Sequence, residues 1–91
     1  MPTTEELGIR LAEEVLKAVE ETGDEALIAE VNRIVESQSS ALQEAYMAAV
    51  RAQRAAAAAH RHVEARLKKA RLAKASNEPD PTPGQENAPQ S

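Results

Sequence analysis

The 91-residue sequence contains no cysteine, no tryptophan and no phenylalanine, and Tyr46 is its single aromatic residue. Disulfide bonds, thiolate metal sites and a cysteine nucleophile are therefore excluded. The three glycines lie too far apart to form a phosphate-binding loop. A chain with so few large side chains has little to enclose a pocket. We therefore predict a protein that is not an enzyme and that holds no cofactor.

The sequence also lacks the long apolar stretch that a membrane-spanning helix requires. Its first six residues carry two acidic residues and no basic one, and they do not show the basic segment followed by an apolar segment that is typical of a signal peptide. We predict a cytoplasmic protein that does not insert into a membrane. Membrane-surface binding is also disfavoured, because the apolar side of the most basic segment is mostly alanine and would insert poorly.

The local signals predict helices. Thr3 and Glu6 have the spacing of a capping box, in which each side chain accepts a hydrogen bond from the other residue's backbone N–H. Apolar residues then recur at helical spacing, so we predict a helix over residues 3–21. Residues 22–24 form the predicted turn, with Gly23 as a left-handed C-terminal cap. Such a short turn places the next helix antiparallel to the first.

Residues 25–74 contain neither glycine nor proline and are rich in residues that favour helices. They predict one long helix, which makes residues 1–75 an all-α helical hairpin. A break near Ser37–Ser40 is the alternative, with Ser40 and Gln43 as a second capping box. Residues 76–91 hold four of the five prolines and no large apolar side chain. They predict a disordered, acidic tail.

Alternating steps of three and four from Ile28 to Ala70 mark thirteen positions, which we call the seam. Eleven of them are apolar, and the exceptions are Gln38 and Arg66. This spacing is typical of a coiled coil, which needs a facing helix along its whole length. The first helix is long enough to cover only the opening half, so we predict a homo-oligomer. The alternative is that the central alanines form an exposed spacer. The predicted interface residues are Leu7, Leu11, Val15, Val19, Ile28, Val31, Val35, Leu42, Ala45, Ala49, Ala52, Ala56, Ala59, Val63 and Leu67.

The charges are segregated along the chain. Residues 1–50 carry eleven acidic residues and three basic ones, whereas residues 51–74 carry eight basic residues and Glu64 as the one acid. An antiparallel dimer with its centre near Ala49 would bring the acidic first helix of one copy beside the basic segment of the other. We therefore predict a four-helix dimer in which charge selects the orientation of the helices.

Two other functions are consistent with the sequence. A basic helical face could contact a polyanion such as nucleic acid, although no aromatic side chains are interleaved for base stacking. Alternatively, the chain is a small inhibitor or chaperone-like protein that offers its seam to an unrelated partner. Tyr46, Met47 and Val50 lie beside the seam, either as a face that accepts the first helix of a second copy or as a docking patch for a different protein. The residues predicted for polyanion contact are Arg51, Arg54, Arg61, Lys68, Lys69 and Arg71. His60 and Glu64 share a helical face, but two ligands do not make a metal site, so we predict none.

Overall fold

A computed structural model describes residues 1–77, and over these residues it contains three α-helices and no strand. Helix α1 spans Thr4–Thr22, α2 spans Ala26–Gln38 and α3 spans Ser40–Asn77. The predicted all-α class is confirmed. Of the tail predicted at residues 76–91, the first two residues belong to α3, and residues 78–91 lie outside the described part of the chain.

The predicted caps of the first helix are present. The Thr3 hydroxyl accepts the Glu6 backbone N–H at 3.0 Å, and the Glu6 carboxylate accepts the Thr3 N–H at 2.8 Å. At the other end, Gly23 has a φ of 76° and donates its N–H to the carbonyl oxygen of Val19. A residue with a Cβ would be strained in this left-handed conformation, so glycine allows the chain to turn directly into α2.

The single helix predicted over residues 25–74 is wrong, because Ser39 divides it into α2 and α3. Ser39 is extended, with φ −160° and ψ 110°, and it donates its N–H to Val35 O at 2.8 Å. Its hydroxyl accepts the Leu42 N–H at 3.1 Å, so it closes α2 and caps α3 at once. The break lies where the sequence suggested, but the capping residue is Ser39; Ser40 is the first residue of α3.

The described chain divides into two compact units, residues 1–57 and the described residues from Ala58 onward. In the first unit, α2 runs antiparallel to the beginning of α3. The Gln43 side chain donates to the Asn32 side chain at 2.8 Å, and Arg54 contacts Glu25 at 2.9 Å. The contact with the lower residue number in α2 has the higher residue number in α3, so the two helices run in opposite directions. Helix α1 reaches α3 at Gly8, which is buried against Ala45.

The core of the first unit is small and lies where α1 and α3 meet. Partly buried side chains from all three helices close around it: Leu11, Leu16, Leu27, Ile28, Val31 and Met47. Because the individual side chains are mostly small, the close approach of the helices matters as much as the apolar area that is buried. The core residues are Ala12, Val15, Val19, Tyr46, Ala49 and Val50.

Candidate interaction surface

A shallow groove runs along the first unit between α1 and α3. Glu5 and Ile9 form its α1 side, and its floor is made of alanines, namely Ala45, Ala48, Ala49 and Ala52. The groove has a volume of ≈240 Å³, and the Ile9 side chain is 41% exposed beside it. An apolar floor made of methyl groups, with a carboxylate at one end, can accept branched apolar side chains from another helix.

In the second unit, every described residue from 58 to 76 is exposed. Val63 is 51% exposed and Leu67 is 42% exposed. Their spacing of four places them on one side of α3, together with Ala59 and Ala70. Leu72 is 62% exposed and lies on the opposite side of the helix. We call Ala59, Val63, Leu67 and Ala70 the exposed stripe.

The structure separates the predicted interface residues into three groups. Val15, Val19, Val35 and Ala49 are buried within the chain. A second group is partly buried: Leu11, Ile28, Val31, Leu42 and Ala45. The third group is exposed and comprises Leu7, Ala52, Ala56, Ala59, Val63 and Leu67. The opening half of the predicted seam therefore contributes largely to the fold of one chain, and the surface that remains accessible lies mainly from Ala52 onward.

The predicted docking patch of Tyr46, Met47 and Val50 is wrong. Tyr46 is 0% exposed and Val50 is also buried, while Met47 packs partly buried against the same core. The Tyr46 hydroxyl donates a hydrogen bond to the Ile28 carbonyl oxygen at 3.0 Å, which ties α3 to α2. Sequence reasoning missed this core role, although Tyr46 is the largest apolar side chain and shares a helical face with Val50, four residues later.

Burial raises the pKa of the Tyr46 hydroxyl above its ordinary value near 10. Since the folded pKa lies above the unfolded one, the stabilisation is complete below about pH 10 and is lost as the pH rises through the folded pKa. We expect absorbance titration of this single tyrosine to show tyrosinate forming at higher pH in the folded protein than in urea.

The variant Tyr46→Phe serves as the control, because it keeps the ring and removes the ionising hydroxyl. Lysines also titrate in this pH range, so the loss of stability above pH 10 is compared between the two proteins. The parent should lose more stability than Tyr46→Phe. Equal losses would contradict a stabilising role for the protonated hydroxyl.

The basic residues predicted for polyanion contact are all exposed, but they do not form one uniform surface. Arg54 donates through one guanidinium nitrogen to both carboxylate oxygens of Glu25, at 2.9 and 3.0 Å. This pair links α3 to α2, and its exposure to solvent keeps its contribution to stability small. Arg51 belongs to the first unit with Arg54, and the remaining four, Arg61, Lys68, Lys69 and Arg71, lie in the second.

Within residues 1–77, no group of three or more His, Asp or Glu side chains is arranged to hold a metal ion. Over the same residues, no helix is both long enough and apolar enough to cross a membrane. Comparison of the chain with protein-family models, curated protein sequences and solved structures finds no match. The groove and the exposed stripe are therefore the features of the chain that indicate a function.

Proposed function

We propose that the protein is a non-catalytic module that associates with a second copy of itself through α3. The observation that carries the proposal is the exposed stripe, in which Val63 and Leu67 stand about half exposed at a spacing of four. Apolar side chains at this spacing on an exposed helix are typical of surfaces that pack on another helix.

Burial of the exposed stripe against another helix is energetically more favourable than leaving this part of α3 as a solvent-exposed spacer. Fully burying a valine or leucine side chain contributes about 1.5–3 kcal/mol. Half-exposed side chains recover only part of this, but each copy of a symmetric dimer supplies the same stripe. The alanines of the stripe add little apolar area themselves, yet they allow two helix backbones to approach closely.

Polyanion binding receives less support than self-association. Arg54 already contacts Glu25, and the glutamates at the exposed positions of α1 would repel a nucleic acid. The described chain also offers a single aromatic side chain, Tyr46, and it is buried, so no base can stack on it. The basic residues of α3 are better explained by an acidic protein surface than by a phosphate backbone.

Light scattering on a sizing column tests the proposal directly. We expect a mass of two chains both at low salt and in about 1 M salt, where the charges are screened and apolar contacts persist. The double variant Val63→Glu/Leu67→Glu should be monomeric, because it places charges within the interface. Its helical content should change little, since both positions are exposed in the single chain.

The matched control is Leu72→Glu, which introduces a charge at an exposed leucine on the other side of the same helix. This variant should keep the mass of the parent. A parent protein that is monomeric at both salts would overturn the proposal and indicate a different partner for the stripe. Loss of the dimer in Leu72→Glu as strongly as in the double variant would show that charge, not position, controls assembly.

A further inference from the structure

The apolar seam of α3 has the same spacing when it is read in either direction. Its positions follow one another at steps of four, three, four, three, four, three and four, and they are Ala45, Ala49, Ala52, Ala56, Ala59, Val63, Arg66 and Ala70. Arg66 is the one charged position among the eight. A second copy that runs antiparallel, with the centre between Ala57 and Ala58, therefore places every seam position opposite another. Ala52 then faces Val63, and Ala56 faces Ala59.

This register places large side chains opposite small ones. Val63 of one copy meets Ala52 in the floor of the groove, and Leu67 lies beside Ile9 at its α1 side. Alternation of large and small residues across an interface fills space without strain. A parallel pairing would instead place the alanines of the groove against each other and leave the groove unfilled.

The charges favour the same orientation. Gly8 in α1 lies against Ala45, and Glu25, just after the end of α1, contacts Arg54. Helix α1 therefore runs in the same direction as its own α3 and is antiparallel to α3 of the second copy. Glu5 lies one turn before Ile9, and Arg71 lies one turn after Leu67. Contact between Ile9 and Leu67 thus brings Glu5 near Arg71. A parallel dimer would instead bring the basic segments of the two copies together.

We infer that two copies pair antiparallel, with residues 63–70 of each lying in the α1–α3 groove of the other, opposite residues 45–52. The inference rests on the proposed self-association. It adds the orientation of the two helices, the register of their residues and the groove as the binding site. It also moves the centre of the dimer from the position near Ala49 that the sequence predicted. Ala49 belongs to the core of its own chain, so it cannot serve as the centre of the contact.

Cysteine cross-linking tests the register, because the chain has no cysteine of its own. The variants Ala52→Cys and Val63→Cys are purified separately, mixed and equilibrated in a glutathione redox buffer. Facing positions bring two Cβ atoms within the roughly 3.5–4.5 Å that a disulfide requires. Two copies of position 52 lie eleven residues apart along the antiparallel pair, about 16 Å, so Ala52→Cys alone should not cross-link.

The control mixture pairs Ala52→Cys with Ala65→Cys, which places the thiol on the other side of α3. Mass spectrometry distinguishes mixed disulfides from self-linked ones. We expect at least about tenfold more mixed disulfide from the first mixture than from the control, because thiols held face to face have a far higher effective concentration.

Each of the other outcomes contradicts a different part of the proposal. Efficient self-linking of Ala52→Cys would overturn the antiparallel orientation and indicate parallel helices. A dimer by light scattering without the mixed disulfide would overturn this register while the proposed self-association stands. A monomer by light scattering would overturn both.

Discussion

Replacing Tyr46 with alanine is expected to abolish the cooperative unfolding transition of residues 1–57. Tyr46 is fully buried, and it is the largest side chain in a core otherwise made of alanines and valines. Truncating a buried aromatic residue costs about 3–5 kcal/mol. A unit of this size has a total stability of only about 3–8 kcal/mol. The variant also loses the hydroxyl that joins α3 to the Ile28 carbonyl.

Circular dichroism during urea unfolding at a fixed protein concentration measures this effect. The parent should show a sigmoidal transition, and Tyr46→Ala a gradual loss of helix, since separate short helices are marginal in water. Ile34→Ala is the control: it removes a large apolar side chain from the same unit at a position that is 65% exposed, and its effect should be below about 0.5 kcal/mol. A Tyr46→Ala protein within about 1 kcal/mol of the parent would contradict the assignment of Tyr46 to the core.

The parts of the fold that the sequence predicted correctly are those that depend on a few neighbouring residues. The capping box of Thr3 and Glu6 and the left-handed cap at Gly23 each need only local hydrogen bonds, and both are present. The break at Ser39 was harder to predict because a serine inside a helix and a serine between helices look alike locally. What decides between them is the packing of α2 back onto α3, through contacts such as that of Asn32 with Gln43.

The error at Ser39 explains the error at Tyr46. If the alternating steps of three and four residues continue from α2 into α3 without a break, Ala45, Ala49 and Ala52 fall on the buried face of α3. The non-helical residue changes the helical phase, and the face that is buried instead carries Tyr46, Ala49 and Val50. Ala45 and Ala52 consequently line the groove at the edge of the core. Local spacing could predict an apolar face but not its rotation relative to α1 and α2.

Substitution of alanine for Gly8 is expected to destabilise the first unit, even though alanine favours helix formation by about 1 kcal/mol over glycine. A Cβ built on Gly8 would lie 2.6 Å from the Ala45 Cβ, 2.7 Å from the Ala45 carbonyl carbon and 2.9 Å from the Tyr46 nitrogen. Two of these atoms belong to the backbone of α3, so the helices must separate to admit the methyl group. Overpacking of this kind costs about 1–3 kcal/mol.

Whether the free energy of unfolding falls or rises in Gly8→Ala shows which effect dominates. If α1 and α3 approach as closely as the structure shows, Gly8→Ala lowers the free energy of unfolding by up to about 2 kcal/mol, which is the overpacking cost less the gain in helix propensity. If they do not, the helix propensity of alanine dominates, and the variant is more stable than the parent by a similar amount. The double variant Gly8→Ala/Ala45→Gly removes the nearest clashing atom but leaves the backbone of α3 in place. After correction for the cost of a glycine inside α3, the double variant should therefore recover only part of the stability that Gly8→Ala loses. Because Ala45 also lies in the floor of the groove, separation of the two helices should weaken dimer formation in Gly8→Ala as well.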